Sequence, residues 1–200
     1  GDRKTAIGTD RAKSLVERAV PVTREGVRVH TLAGGNRRFL YAGRMSLVST
    51  SRPADSVIRL SLDRREQKNA LSIALRDAIS DALDRLRDDA SVKVVVITGG
   101  EGIFSAGFDL GEFQKCAEPE FAKTLWASSD RYHRTLLELP VPTIAAVDGP
   151  ALGGGFDTAV LCDLRVISSR ARFGHPEAAF SDVVYTPLHD LVGGAIARDL

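Results

Sequence analysis

The run Val92 to Thr98, VKVVVIT, narrows the folds open to this chain more than any other stretch. It is almost wholly β-branched, too short for an ordinary helix, and lacks the alternation of a half-buried strand, so it predicts a strand covered on both faces. PTIAAV, ending at Val147, and LRVIS, Leu164 to Ser168, repeat the type. Ahead of them Val57 to Leu62 alternates apolar and polar residues, as a half-buried strand does. Leu71, Leu75, Ile79, Ala82, Leu83 and Leu86 then recur at helical spacing, with Ser72 placed to cap the helix and Asp88 to end it. Strands that alternate with helices need crossover connections, which implies parallel pairing and an α/β fold.

Composition bounds the rest. With 200 residues, 44% hydrophobic and 26% charged, the chain is long enough for one globular core. No run of 18 apolar residues occurs and the first residues lack a secretory apolar stretch, so the expectation is a cytoplasmic protein without a membrane partner. Cys116 and Cys162 stand in unrelated contexts with no metal-ligand spacing, which predicts reduced, packed thiols and no metal site. The charge is uneven: residues 1–44 carry ten Lys and Arg against four Asp and Glu, and residues 45–200 seventeen against twenty-two. The basic block shows little periodicity, and the chain's single methionine, Met45, follows it. We therefore expect residues 1–44 to be a basic, poorly ordered extension and residues 45–200 to be the working domain. The cations of the extension are spread along it, so no nucleic-acid partner is expected.

Each predicted buried strand is followed by turn chemistry: TGGEGIFSAGFD, DGPALGGGFD and RFGHPE. In open α/β sheets ligands collect at the carboxyl ends of strands. A phosphate loop fails, because no GxxxxGK[ST] occurs and Ser105 stands where the third glycine of GxGxxG belongs. No GxSxG elbow is present either. What remains is two predicted helix starts, near Phe108 and Gly155, whose free N–H groups and dipoles favour negative charge. Two convergent N–H donors make an oxyanion hole.

GIFSAGFDLGEF and PTIAAVDGPALGGGFDTAVLCDLRVISSRARFGHPE resemble the two signature segments of the crotonase superfamily, the enoyl-CoA hydratase/isomerase family. RREQKNALS resembles its first strand-to-helix turn, and the likeness runs from Val57 to Glu177. The resemblance implies an α/β fold of ββα spiral type that binds acyl-CoA thioesters, with coenzyme A part of the substrate and no separate cofactor. It further implies oxyanion donors at the N–H groups of Phe108 and Gly154, acid–base residues at Asp157 and Glu177, and substrate contacts at Ala106, Asp109, Gly153 and Lys68. Lys68 and Arg64 are the cations available to CoA phosphates, with plain solvation as the competing use of each. Relatives of this kind continue into further helices and assemble as trimers or hexamers. The expectation is thus a C-terminally incomplete acyl-CoA domain that forms a homo-oligomer in its full-length form.

Two departures from the family pattern bear on the chemistry. Hydratases of the family carry Glu at both acid positions; here the first is Asp157, one methylene short, which retracts its carboxylate by about 1.5 Å where 1 Å of misplacement can cost about a hundredfold. Glu177, twenty residues on, is the better candidate for the general acid/base. Beyond it the chain reads AAFSDVVYTPLHDLVGGAIARDL, placing Tyr185, Pro187 and His189 in the acyl region, with His189 a candidate proton shuttle. His175 reads as a loop-shaping residue and His133 as a helix-surface one. The function expected is that of a hydratase/isomerase-type enzyme. Thioester hydrolysis, decarboxylation, dehalogenation and non-catalytic acyl-CoA binding are the rival readings.

Overall fold

The computed structural model describes residues 46–179 and 186–199. The extension expected at residues 1–44 and the acyl-region residue Tyr185 lie outside them. Strands β1 (Val48–Ala54), β2 (Val57–Leu62), β3 (Val94–Thr98), β4 (Thr143–Val147) and β6 (Leu164–Ile167) form one sheet in the order β1-β2-β3-β4-β6. β1 and β2 are an antiparallel hairpin, and every later pair is parallel, with Leu60 opposite Ile97 and Ile97 opposite Ala145. A second sheet joins β5 (Pro150–Leu152) to β7 (Arg172–Gly174) in parallel. The expected α/β class with a largely parallel sheet is what the chain adopts.

Helix α1 (Ile73–Arg87) forms where the apolar spacing placed it. The Ser72 hydroxyl accepts a hydrogen bond from the Leu75 N–H at 3.2 Å, and Asp88 is the C-cap. Its inner face, Leu75, Ile79, Ala82 and Leu83, is at most 3% exposed and packs with Leu60, Val95, Ile97, Ala145 and Val147. Each of the Leu, Ile and Val side chains contributes about 1.5–3 kcal/mol by leaving water. The alternate strand positions Val57, Val94, Val96, Ile144 and Ala146 form a smaller cluster of their own. β3 and β4 therefore bury residues of both parities, as unbroken β-branched runs require.

Helix α2 (Leu110–Phe113) is one short turn, α3 (Pro119–Leu137) packs along α1, α4 (Gly154–Leu161) follows the glycine triplet, and α5 (Thr186–Val192) and α6 (Gly194–Asp199) come last. Short 3₁₀ turns lie at Arg65–Gln67, Gln114–Ala117 and Pro176–Ala179. No helix among the described residues is long and apolar enough to cross a membrane. Both cysteines are free thiols, and burial pushes the Cys162 thiol up to about 12.

Four expectations are corrected. Among the described residues β6 is the edge of the sheet, not a doubly covered strand: there it pairs only with β4, and Leu164 and Ile167 are 44% and 57% exposed. β3 begins two residues late, because the Val92 N–H closes a turn onto the Asp89 carbonyl. The helix expected near Phe108 begins at Leu110 and lasts four residues. β1 was not anticipated, since its Ser-Thr-Ser-Arg-Pro composition shows no apolar alternation; it is an outer strand held by hairpin pairing and by Val48, which is buried in the core.

Candidate active site

The turn after β2, the loop after β3 and the glycine turn after β5 are stitched together by main-chain hydrogen bonds. The Ala106 N–H donates to the Lys68 carbonyl at 3.0 Å and the Leu71 N–H to the Gly107 carbonyl at 2.7 Å. On the other side, the Phe104 N–H donates to the Pro150 carbonyl and the Leu152 N–H to the Ser105 carbonyl, both at 2.9 Å. Asn69, fully buried and in the left-handed region at φ 52°, locks the first joint. Its amide donates to the carbonyls of Gly99 and Phe104 at 2.9 and 3.1 Å, while its side-chain oxygen accepts from the Arg64 N–H at 3.0 Å. The buried Ser105 hydroxyl donates to the Asn69 carbonyl at 2.8 Å and accepts from the Gly107 N–H at 3.2 Å.

Within this frame each member of the glycine triplet has its own reason. Gly153 has φ 50°, and a Cβ there would come within 2.8 Å of the Glu177 carboxylate. A Cβ on Gly154 would meet the Phe108 ring at 3.0 Å, and one on Gly155 would meet the Ser105 carbonyl at 2.6 Å. A side chain at Gly154 would thus be obstructed first of all by Phe108. Gly107, at φ 87°, brings its own backbone against the same turn: a Cβ there would lie 2.6 Å from the Leu152 carbonyl and 3.2 Å from the Gly154 nitrogen.

The result is a pair of neighbouring backbone donors. Gly154 is the first residue of α4 and Phe108 follows Gly107, and neither N–H donates to any described atom. Gly154 is buried and Phe108 half-buried, a setting in which unpaired N–H groups are uncommon. Behind Phe108 lies Arg76, which is fully buried. Its guanidinium stands 4.7 Å from the Phe108 ring centroid and donates to the carbonyls of Leu71 and Leu125 and to the Ser128 hydroxyl at 2.9, 3.1 and 3.3 Å. Burial draws its pKa down, opposed by the charges of Glu112 and Asp77. Trp126 packs on the open side, its ring 6.3 Å from that of Phe108 and 6.3 Å from that of Phe113.

The two acids differ in their surroundings. Glu177, half-buried on the turn Pro176–Ala179, lies against Gly153, and its carboxylate accepts no hydrogen bond among the described residues. Asp157, in the first turn of α4, is engaged: its Oδ1 is 2.8 Å from His175 Nε2. His175, read from the sequence as a loop-shaping residue, is buried, and its ring lies 5.1 Å from that of Phe156. The hydrogen bond to Asp157 raises the His175 pKa; burial opposes this, and the charges of Asp157 and Glu177 add to it. His133, read as a surface residue, is half-buried 3.4 Å from the Ser129 hydroxyl. Burial lowers its pKa against the attraction of Asp157.

The remaining residues singled out from the sequence fall beside the centre. Asp109 caps α2 through the Glu112 N–H at 3.2 Å and pairs with Arg64 at 2.7 Å. Arg64 also donates to the Ala70 carbonyl at 2.8 Å, so its charge braces the loop. Lys68 is exposed at the edge of the site. Gly153 donates its N–H to the Gly174 carbonyl at 2.9 Å. His189 is exposed on α5, and no contact brings it to the acids among the described residues. Sequence reasoning passed over Asn69, Arg76 and Ser105. For Arg76 a signal existed: it lies four residues after Ser72 and three before Ile79, on the stripe that is otherwise buried.

Known proteins resemble this chain in sequence and in fold. The family model for enoyl-CoA hydratase/isomerase matches residues 52–185. The chain is 41% identical over 121 residues to a 2,3-dehydroadipyl-CoA hydratase of Escherichia coli K12, covering 60% of this chain and 46% of that protein. It is 36% identical over 149 residues to a crotonyl-CoA hydratase of Syntrophomonas wolfei, covering 70% and 56%. The crystal structure of an enoyl-CoA hydratase from Bacillus anthracis superposes with a TM-score of 0.72 at 30% identity, over 77% of this chain and 61% of that one. The chain spans about half the length of the curated relatives it matches. With its three motifs gathered at one site and the family model matched across 52–185, the chain belongs to the enoyl-CoA hydratase/isomerase family, within the crotonase superfamily.

Proposed function

We infer that the protein is an acyl-CoA enzyme of the hydratase/isomerase type. The observation that supports this most is the unpaired N–H pair of Phe108 and Gly154 beside the uncommitted carboxylate of Glu177. A thioester carbonyl seated on the two N–H groups gains negative charge as a proton leaves the adjacent carbon, and donors already in place stabilise that charge without reorganisation. Each such donor is worth about 3 kcal/mol, a hundredfold or more in rate. Glu177 takes or returns the proton, and Arg76, buried behind Phe108, braces the ring of the residue whose main-chain N–H is one donor. The Phe108, Phe113 and Trp126 group offers the acyl chain an apolar wall. The names of the relatives, hydratases of unsaturated acyl-CoA thioesters, agree with this reading. Residues 45–200 make the acyl-CoA unit in this proposal and residues 1–44 stand outside it.

The test is to incubate full-length protein with a panel of acyl-CoA thioesters and analyse the products by mass spectrometry. Water addition, double-bond migration and thioester cleavage give distinct products. Glu177→Gln should lower turnover by about 10²- to 10⁴-fold and preserve acyl-CoA binding. Full activity in that variant would overturn the mechanism; binding without turnover in the wild type would mark a binder instead of an enzyme.

A further inference from the structure

The two acids at the glycine turn are held in opposite ways. Glu177 lies against Gly153 with its carboxylate open among the described residues. Asp157 is drawn onto His175, the pair 2.8 Å apart, with side chains only 16% and 4% exposed. Among the described residues, the groups facing this pair include Glu177 on its turn, His133 and Tyr132 from α3, and the Phe156 ring from α4. We propose that His175 withdraws Asp157 from water activation and leaves Glu177 as the one proton-transferring carboxylate, so that the site favours double-bond migration in a 3-enoyl-CoA over water addition to a 2-enoyl-CoA. This rests on the acyl-CoA reading above.

The chemistry balances with one carboxylate. Glu177 removes a proton from C2 of a 3-enoyl thioester, and the electron pair delocalises onto the carbonyl oxygen held by Phe108 and Gly154. The same proton returns at C4 as the C3=C4 double bond becomes C2=C3. Nothing is added, nothing leaves, and the carboxylate is regenerated. Water addition asks more: an oxygen nucleophile must be held and relieved of a proton while C2 gains one, and two free acids do this best. For Asp157 to hold that water it must give up a charge-assisted hydrogen bond in a nearly dry setting, a loss of roughly ten- to a hundredfold in rate. Its missing methylene works in the same direction, keeping the carboxylate near His175.

The test supplies full-length protein separately with 3-hexenoyl-CoA and 2-hexenoyl-CoA, and resolves migration and water addition by chromatography and mass. Wild type should migrate the bond at least tenfold faster than it adds water. His175→Gln, which removes the imidazole partner, should raise the ratio of hydration to migration at least tenfold. Wild-type hydration equal to or faster than migration, lost in Glu177→Gln, overturns this inference and leaves the acyl-CoA reading standing. Neither reaction and no binding of either thioester overturns both. If His175→Gln does not fold, the ring nitrogens of His175 in the wild type decide: their NMR titration should lie above that of an exposed histidine and fall in Asp157→Asn. A titration that Asp157→Asn does not move overturns the pairing.

Discussion

Gly107→Ala tests the two backbone donors together. The new Cβ would lie 2.6 Å from the Leu152 carbonyl and 3.2 Å from the Gly154 nitrogen, so the two strands of backbone must separate. The first contact is roughly 1 Å closer than van der Waals packing allows. Both neighbours are main chain and cannot swing aside, so the displacement falls on Phe108 and Gly154 themselves. Misplacing a reacting group by about 1 Å costs about a hundredfold, and that is the expected fall in kcat/KM. The residue must also be forced to φ 87°, which adds a stability cost of about 1–3 kcal/mol. Gly102→Ala is the matched control, because Gly102 has φ 88° but a Cβ there meets nothing within 4 Å. It should show the stability cost alone. The assay is initial rate of conversion of the acyl-CoA substrate for the folded variants, with thermal melts alongside. Wild-type kcat/KM in folded Gly107→Ala, or an equal loss in Gly102→Ala, would refute the geometry.

Arg76→Met leaves the carbonyls of Leu71 and Leu125 buried without their donor and should destabilise the fold by about 2–4 kcal/mol; an unchanged urea midpoint would count against a bracing role. Asp109 predicts a pH dependence of known sign. Burial raises its pKa, but the Arg64 hydrogen bond and charge and the main-chain donors of Glu112 and Gly111 outweigh this and hold it below the ordinary value. A depressed carboxyl stabilises the fold fully above its unfolded pKa of about 3.9 and loses that contribution as pH falls through the folded value. The stability difference between wild type and Asp109→Asn should therefore hold steady from neutral pH to about pH 4 and shrink below it. A difference unchanged on acidification would show that Arg64 does not stabilise the ionised form.

What the sequence disclosed was what local spacing encodes. The α1 stripe with Ser72 at its start, the alternating β2 and the unbroken β3 and β4 need no distant information, and they appear at or within two residues of the expected bounds. The strands β5 and β7 have three residues each, too few for any period, and exist because they pair with each other. The glycine triplet marked a turn, but the atoms that hem it in come from the loop after β3 and from the turn Pro176–Ala179, both distant in the sequence. The Asp157–His175 pair was invisible for the same reason: it joins α4 to the end of β7, and a lone histidine beside Pro176 gives no sign of burial. Asn69 stood unremarked within RREQKNALS and Ser105 entered only as the residue that breaks GxGxxG; their long-range hydrogen bonds appear only when the loops meet.

The small β5–β7 sheet has a kinetic meaning. β5 bonds on one edge to the segment around Ser105 and on the other to β7, which leads directly into His175 and Glu177. Closing the first contact spans more than 40 residues, whereas the β1–β2 hairpin closes locally. Loop-closure entropy therefore places the crossbar after the local hairpin and α1, together with the β3–β4 pairing, whose partners Val95 and Thr143 are as far apart in the sequence. The donors and acids cannot be assembled piecemeal. An intermediate that lacks β5 pairing leaves Ala151 out of the core and the donors apart from the acids, so the onset of activity during refolding marks the joining of the crossbar.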